Sequence, residues 1–247
     1  MKKVLKWIGI VVLALIIAGS CGFIIWAESP SQPRQAALQA LKSDAQVTVS
    51  DTGRYISFEP SAKPATTGFI FYPGGHVDYR AYAPILRLIA AQGYLVVLVP
   101  VRLNLAFFDI EAGAPALKDF PQIKTWATGG HSLGGVASAL FAQNHPEIRA
   151  VIFWASYPAN DGLKNSGIRM LSIYGTQDGG LDHGAKIEQN KPLEPADTVF
   201  VVIPGANHGQ FGDYGPQPGD LPATITPQDQ WQQTSAATSQ FLQSLGQ

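Results

Sequence analysis

The stretch from Trp126 to residue 143 restricts the possible folds more than any other. A short apolar run, Trp126-Ala127-Thr128, passes into Gly130-His131-Ser132-Leu133-Gly134 and then into small residues over 136–143. A strand meeting a helix over so few residues turns too tightly for side chains on its flanks, and glycine at 130 and 134 leaves that room. Ser132 is then expected to take a strained backbone conformation and to stand exposed at the carboxyl end of the strand. It also sits at a helix N-terminus, where unpaired N–H groups and the helix dipole favour developing negative charge. Glycine and serine are common, so a bland glycine-rich turn fits the same five residues. The choice between the two depends on whether an acid and a base follow in the right places.

Apolar runs recur along the chain and set the architecture. Residues 67–72 (Thr-Gly-Phe-Ile-Phe-Tyr) and 94–100 read as strands covered on both faces, with a helix over 82–92 between them. Further strands are expected over 149–155, 170–174 and 198–203, and a last helix over 227–245, started by Thr226-Pro227. Val47-Thr48-Val49 and Tyr55-Ile56-Ser57-Phe58, separated by Asp51-Thr52-Gly53, predict a β-hairpin. Apolar strands alternating with helices give an α/β protein with a doubly wound, mostly parallel sheet. At 247 residues, 46% hydrophobic, the chain suffices for one such core. A net charge of −1 gives no basis for a nucleic-acid partner. The lone Cys21 excludes an internal disulfide framework, and the five histidines are too dispersed for a metal-ligand spacing. No metal is expected.

The N-terminus stands apart from that core. Lys2, Lys3 and Lys6 precede a run from Trp7 to Ala27 without a charged residue. About 20 apolar residues span a bilayer, whereas a cleaved signal carries an apolar region of about 7–15. An uncleaved signal-anchor over residues 1–28 is the preferred reading. A cleaved signal, giving a secreted protein, and a lipoprotein processed at Ala18-Gly19-Ser20-Cys21 are the alternatives. By the positive-inside rule the lysines stay cytoplasmic and the rest of the chain lies outside, with Trp7 and Trp26 at the two interfaces. Residues 29–44 form a linker with a helix over 34–42, and 45–247 one catalytic domain.

In open α/β sheets the site lies beyond the carboxyl ends of the strands. After residues 170–174 comes Gly175-Thr176-Gln177-Asp178; after residues 200–203 comes Pro204-Gly205-Ala206-Asn207-His208. With Tyr72-Pro73-Gly74-Gly75 and Gly130-His131-Ser132-Leu133-Gly134, these segments resemble the α/β-hydrolase superfamily, in particular small bacterial esterase-like serine hydrolases. The resemblance runs from about Thr67 to the C-terminus, and the order Ser132, Asp178, His208 is that superfamily's. It departs from the pattern at Pro73, where many members carry the histidine of a His-Gly motif. The resemblance implies an acyl hydrolase without a cofactor, acting on a small-molecule carboxylic ester. Ser132 is the expected nucleophile, His208 the base and Asp178 the group that orients it, with Asp182 a reserve acid beside His183. The expected oxyanion donors are the Leu133 N–H and the Gly75 N–H, with His76 second choice. Dehalogenases and epoxide hydrolases would need aspartate at position 132, and dienelactone hydrolases usually carry cysteine there.

Substrate contacts are expected from His76, Phe107, Phe211 and Tyr214. His76, with Asp78 and Arg80, follows the first turn, where fixing the loop is the competing role. Phe107 lies in the 102–108 stretch after the second buried strand, and Phe211 and Tyr214 lie in a long glycine-proline-rich loop read as shaping the mouth. His131 reads as packing against neighbouring strands. Only residues 157–167 separate two strands where many lipases insert a helical cap, so the site is expected to be open. That favours small or extended soluble substrates, while the tether keeps lipid esters in play. An acyltransferase using the same three residues and a binding protein on a hydrolase fold remain the alternative functions. The oligomeric state is not read from the sequence.

Overall fold

The computed structural model describes residues 2–246 apart from His183, the sequence neighbour of the reserve acid Asp182. Strands β1 (Val47–Asp51), β2 (Ile56–Pro60), β3 (Thr67–Tyr72), β4 (Leu95–Leu98), β5 (Thr125–His131), β6 (Ile148–Trp154), β7 (Arg169–Gly175) and β8 (Val199–Ile203) form one sheet. Their order is β1-β2-β4-β3-β5-β6-β7-β8. The β1–β2 hairpin joins antiparallel through β2 to β4, and every later pairing is parallel. The order reverses around β3, so β3 and β5 lie side by side at the centre.

The helices are α1 (Lys2–Ala27), α2 (Gln35–Ala40), α3 (Ala83–Ala91), α4 (Ala114–Asp119), α5 (Leu133–Asn144), α6 (Ala185–Asn190) and α7 (Pro227–Ser244). Alternation along the buried strands divides the apolar side chains between two cores. Phe69, Phe71, Val96 and Leu98 pack with Ile85, Leu86 and Ile89 of α3 and with Trp231, Phe241 and Leu242 of α7. Ile70, Tyr72, Leu95 and Val97 pack with Phe141 of α5 and Ala116 of α4 on the other face. Every one of these strand side chains is buried, which is why their sequences are continuous apolar runs rather than alternating ones.

Local chemistry sets the helix starts. Thr226 and Asp229 form a reciprocal capping box ahead of α7, with Pro227 in its first turn. The helix expected over 82–92 opens as a 3-10 turn, Tyr79–Tyr82, capped by Asp78, and becomes α-helical only at Ala83, beside Pro84. Both α4 and α6 have six residues, too few for a periodic signal, and neither is foreseen from the sequence. Helix α1 is long and apolar enough to cross a membrane, and its side chains are exposed from Lys3 to Trp26.

Candidate active site

Ser132 lies between the last residue of β5 and the first of α5, with φ 51° and ψ −120°. A non-glycine residue in this region is strained and persists only where its surroundings determine it. The Ser132 N–H donates to the Trp154 carbonyl (2.9 Å), and its own carbonyl accepts from the Ser156 hydroxyl (2.6 Å). A Cβ on Gly130 would overlap the backbone of Gly134, and one on Gly134 would overlap the Tyr72 and Pro73 carbonyls. The glycines therefore let α5 press against the ends of β3 and β5 and lift Ser132 clear.

Asp178 and His208 meet from the ends of β7 and β8. His208 Nδ1 lies 2.9 Å from Asp178 Oδ1 and 3.1 Å from Oδ2, and the pair is buried. Oδ1 also accepts from the Leu181 N–H at 2.9 Å, which fixes the carboxylate. Asp182 has φ 50° and is exposed, and among the described residues Asp178 is the acid that reaches His208. Among the described residues His208 makes no hydrogen bond to Ser132; such bonds are often long without substrate and tighten in the complex. The ring of His131, the residue before Ser132, lies 4.5 Å from that of His208.

Asp220 organises this junction. Its carboxylate accepts from the N–H groups of Gly179 (3.1 Å), His208 (3.2 Å) and Gly209 (2.7 Å), tying the loop of Asp178 to that of His208. Asn207 is fixed by Gln230 of α7, which accepts from its N–H (3.1 Å) and donates to its carbonyl (2.8 Å). Sequence reasoning missed Asp220, Ser156 and Gln230. Ser156 follows an apolar strand, so the rule that located Asp178 would have flagged it. Asp220 and Gln230 carry no such signal.

The segment after β3 brings its N–H groups towards Ser132. The Gly74 N–H donates to the Tyr82 hydroxyl (3.0 Å), and the His76 N–H to the Asn104 carbonyl (2.8 Å). Those of Gly75 and Leu133 have no hydrogen-bond acceptor among the described residues, and a Cβ on Gly75 would sit 3.1 Å from Leu133 Cδ2. Gly75 thus packs against the first residue of α5, while the N–H of His76, the second choice, is already engaged.

His131 is packed, but against functional groups rather than only strands. Its Nδ1 lies 2.9 Å from the Tyr82 hydroxyl, while Nε2 has no hydrogen-bond partner. Burial, and then the nearby His208 charge, hold its pKa well below the ordinary value, so it stays neutral. His131 and Tyr82 thereby connect the Gly74 turn to the underside of His208.

Three expected substrate contacts are corrected. The His76 ring stacks on Trp26 at 4.3 Å and 7°, and its Nε2 donates to the Trp26 carbonyl (2.7 Å), so it faces α1. Phe211 is fully buried, stacked on His131 (5.5 Å) and Trp154 (6.2 Å); it supports the site from below instead of forming the mouth. Tyr214 is buried against Tyr82, with its hydroxyl donating to Gln217 (3.1 Å). In both cases a glycine-rich loop folds inward over the core and takes its aromatics with it. Phe107 is 47% exposed and projects at the surface, and Asp78 and Arg80 pair with each other at 2.6 Å.

The model of the alpha/beta hydrolase family matches residues 68–232. Among solved structures, the dienelactone hydrolase of Anabaena variabilis ATCC 29413 is similar over 77% of this chain and 96% of its own, with 20% identity and a TM-score of 0.56. An esterase/lipase from an uncultured bacterium is similar over 85% of this chain and 88% of its own, with 12% identity and a TM-score of 0.57. Est1E from Butyrivibrio proteoclasticus is similar over 81% and 98%, with 14% identity and a TM-score of 0.54. At these identities the likeness is one of fold. No curated protein matches the chain in sequence.

Proposed function

The chain belongs to the alpha/beta hydrolase family, and from that premise we propose that it is a serine hydrolase cleaving carboxylic esters. The observation that carries the reading is the buried His208–Asp178 pair, whose imidazole lies 4.5 Å from the ring of His131, the residue before a serine held at φ 51°. His208 Nε2 accepts the proton of the Ser132 hydroxyl as Oγ attacks the ester carbonyl. Asp178, held on Nδ1, fixes the tautomer and stabilises the imidazolium that forms. The N–H groups of Leu133 and Gly75 receive the oxyanion, and losing one such donor costs about 10²–10³ in rate. The intermediate collapses as His208 returns the proton to the leaving alcohol. Water, deprotonated in turn by His208, then hydrolyses the acyl-Ser132 ester.

The same reading makes residues 1–28 an uncleaved anchor and 45–247 an extracytoplasmic catalytic domain, joined by 29–44. The length and apolarity of α1 and the three lysines before it support this.

The test is covalent labelling of the full chain in detergent micelles with a fluorophosphonate probe. The parent is expected to label and Ser132→Ala to remain unlabelled, with hydrolysis of p-nitrophenyl acetate following the same pattern. A folded parent that neither labels nor hydrolyses would overturn the proposal.

A further inference from the structure

The C-terminal end of α1 is held by the loops that flank the candidate oxyanion donor. The last carbonyls of any helix lack partners within it. Here two of them are met by side chains from the hydrolase domain: Trp26 O accepts from His76 Nε2 (2.7 Å) and Ala27 O from Asn104 Nδ2 (3.0 Å). Both donors sit on strained backbone, His76 at φ 58° and Asn104 at φ 51°, with Leu103 beside it at φ 55°. Asn104 also accepts the His76 N–H (2.8 Å), so the two loops are tied to each other as well as to the helix. His76 follows Gly75 directly. The mouth of the site is thus fixed at the end of the apolar helix rather than hanging on a free tether.

Beside this clasp, the 3-10 turn Ala106–Phe108 presents Phe107 and Phe108, 47% and 52% exposed. Phe108 packs edge-on against Phe23 of α1, with ring centroids 6.2 Å apart. Phe23 lies three residues before Trp26, about 4.5 Å down the helix axis at the usual rise. With Trp26 at the interface, Phe108 packs on the membrane side of it, towards the headgroup and acyl boundary where surface-bound apolar faces sit. Arg102 and Asp109, the charged residues bracketing this loop, pair at 3.6 Å. Leu105, two residues before Phe107, and Leu133 of the elbow both reach the place a Cβ on Gly75 would take, 3.5 and 3.1 Å from it.

We propose that Phe107 and Phe108 dock the active-site mouth onto the lipid bilayer that holds α1, and that the substrates are long-chain acyl esters entering from that bilayer. The substrate half rests on the esterase reading; the docking half rests on the anchor reading of α1 together with the clasp and the aromatic pair.

Two measurements on the full chain in phosphatidylcholine–phosphatidylglycerol vesicles test it. In a Cys21→Ser background, an environment-sensitive fluorophore is attached at Phe108→Cys or, as a distant control, at the exposed Val202→Cys. Quenching by doxyl-labelled phosphatidylcholine is expected at 108 and absent at 202; equal quenching at the two sites overturns the docking. The second measurement compares bilayer-dissolved p-nitrophenyl palmitate with soluble p-nitrophenyl acetate. Phe108→Asp is expected to lower the palmitate rate about tenfold or more, the scale on which burial of one phenylalanine acts, and to leave the acetate rate unchanged. A parent that hydrolyses acetate but not palmitate, or a variant that changes both rates equally, overturns the substrate class with the esterase reading intact. A parent that hydrolyses neither ester overturns the esterase reading and the substrate half together, while the quenching still decides the docking.

Discussion

Glu194 is buried at the start of the segment leading into β8, and neither of its carboxylate oxygens has a hydrogen-bond partner. Lys191, which would draw it down, is itself paired with Glu188 at 2.6 Å. Burial dominates and pushes the Glu194 carboxyl from its ordinary value near 4.5 up to about 7. Between those two values the folded chain holds a proton that the unfolded chain has lost. Stability therefore falls as pH rises through that window and stays lower above it. Glu194→Gln escapes the loss. The variant is expected to melt at the same temperature as the parent at pH 4 and a few degrees higher at pH 8, read by thermal denaturation at both. The residues that sequence reading finds and those it misses divide along related lines. Ser132, Asp178 and His208 follow apolar strands and carry the side chains that chemistry demands. Asp220 acts by gathering the main chain of Gly179 and His208, 41 and 12 residues away, and an acceptor of backbone N–H groups has no signature of its own. Phe211 is misread for the opposite reason: the composition of its loop suggests a surface, while its ring stacks beneath the site.

At the scale of elements, the contact that positions the site is α5 against the ends of β3 and β5. It depends on glycine, because the Tyr72 and Pro73 carbonyls occupy the place where a side chain at 134 would begin. Backbone carbonyls cannot turn aside as a side chain can, so Gly134→Ala must move the helix or the strand. Overpacking of this kind costs about 1–3 kcal/mol, and a chain of this length loses roughly 2–4 °C in Tm for each kcal/mol. A Tm several degrees lower is expected, with weaker fluorophosphonate labelling of Ser132 as the elbow shifts. An unchanged Tm would mean that the helix has room the geometry denies it. The central strands β3 and β4 are legible from sequence because both faces of the sheet are covered there, which writes each as a continuous apolar run. The short elements are not: α4 and α6 span less than two turns, and the 3-10 turns around Arg102–Phe108 are held by long-range contacts to α1 and the Gly75 loop.

For the whole molecule, the question is whether α1 stays attached. Its sequence admits both an anchor and a cleaved signal, since each begins with lysines and continues with apolar residues. His76 and Asn104 adopt left-handed backbone to cap the helix end, and Phe108 packs a turn lower on Phe23. Such strain is held in place by the contacts it makes. A cut at Ala18-Gly19-Ser20 would leave Phe23, Trp26 and Ala27 on the clasp and remove the part of the helix that reaches across the bilayer. An anchored chain is expected in the membrane fraction at its full 26.4 kDa, resistant to alkaline carbonate and digested by protease added from outside intact cells. Intact-mass measurement of the membrane-extracted chain is the decisive reading. A shortfall of roughly 20 residues, the length of a secretory signal, together with release into the soluble fraction, would replace the anchor with a secreted hydrolase and remove the bilayer from the account of its substrate.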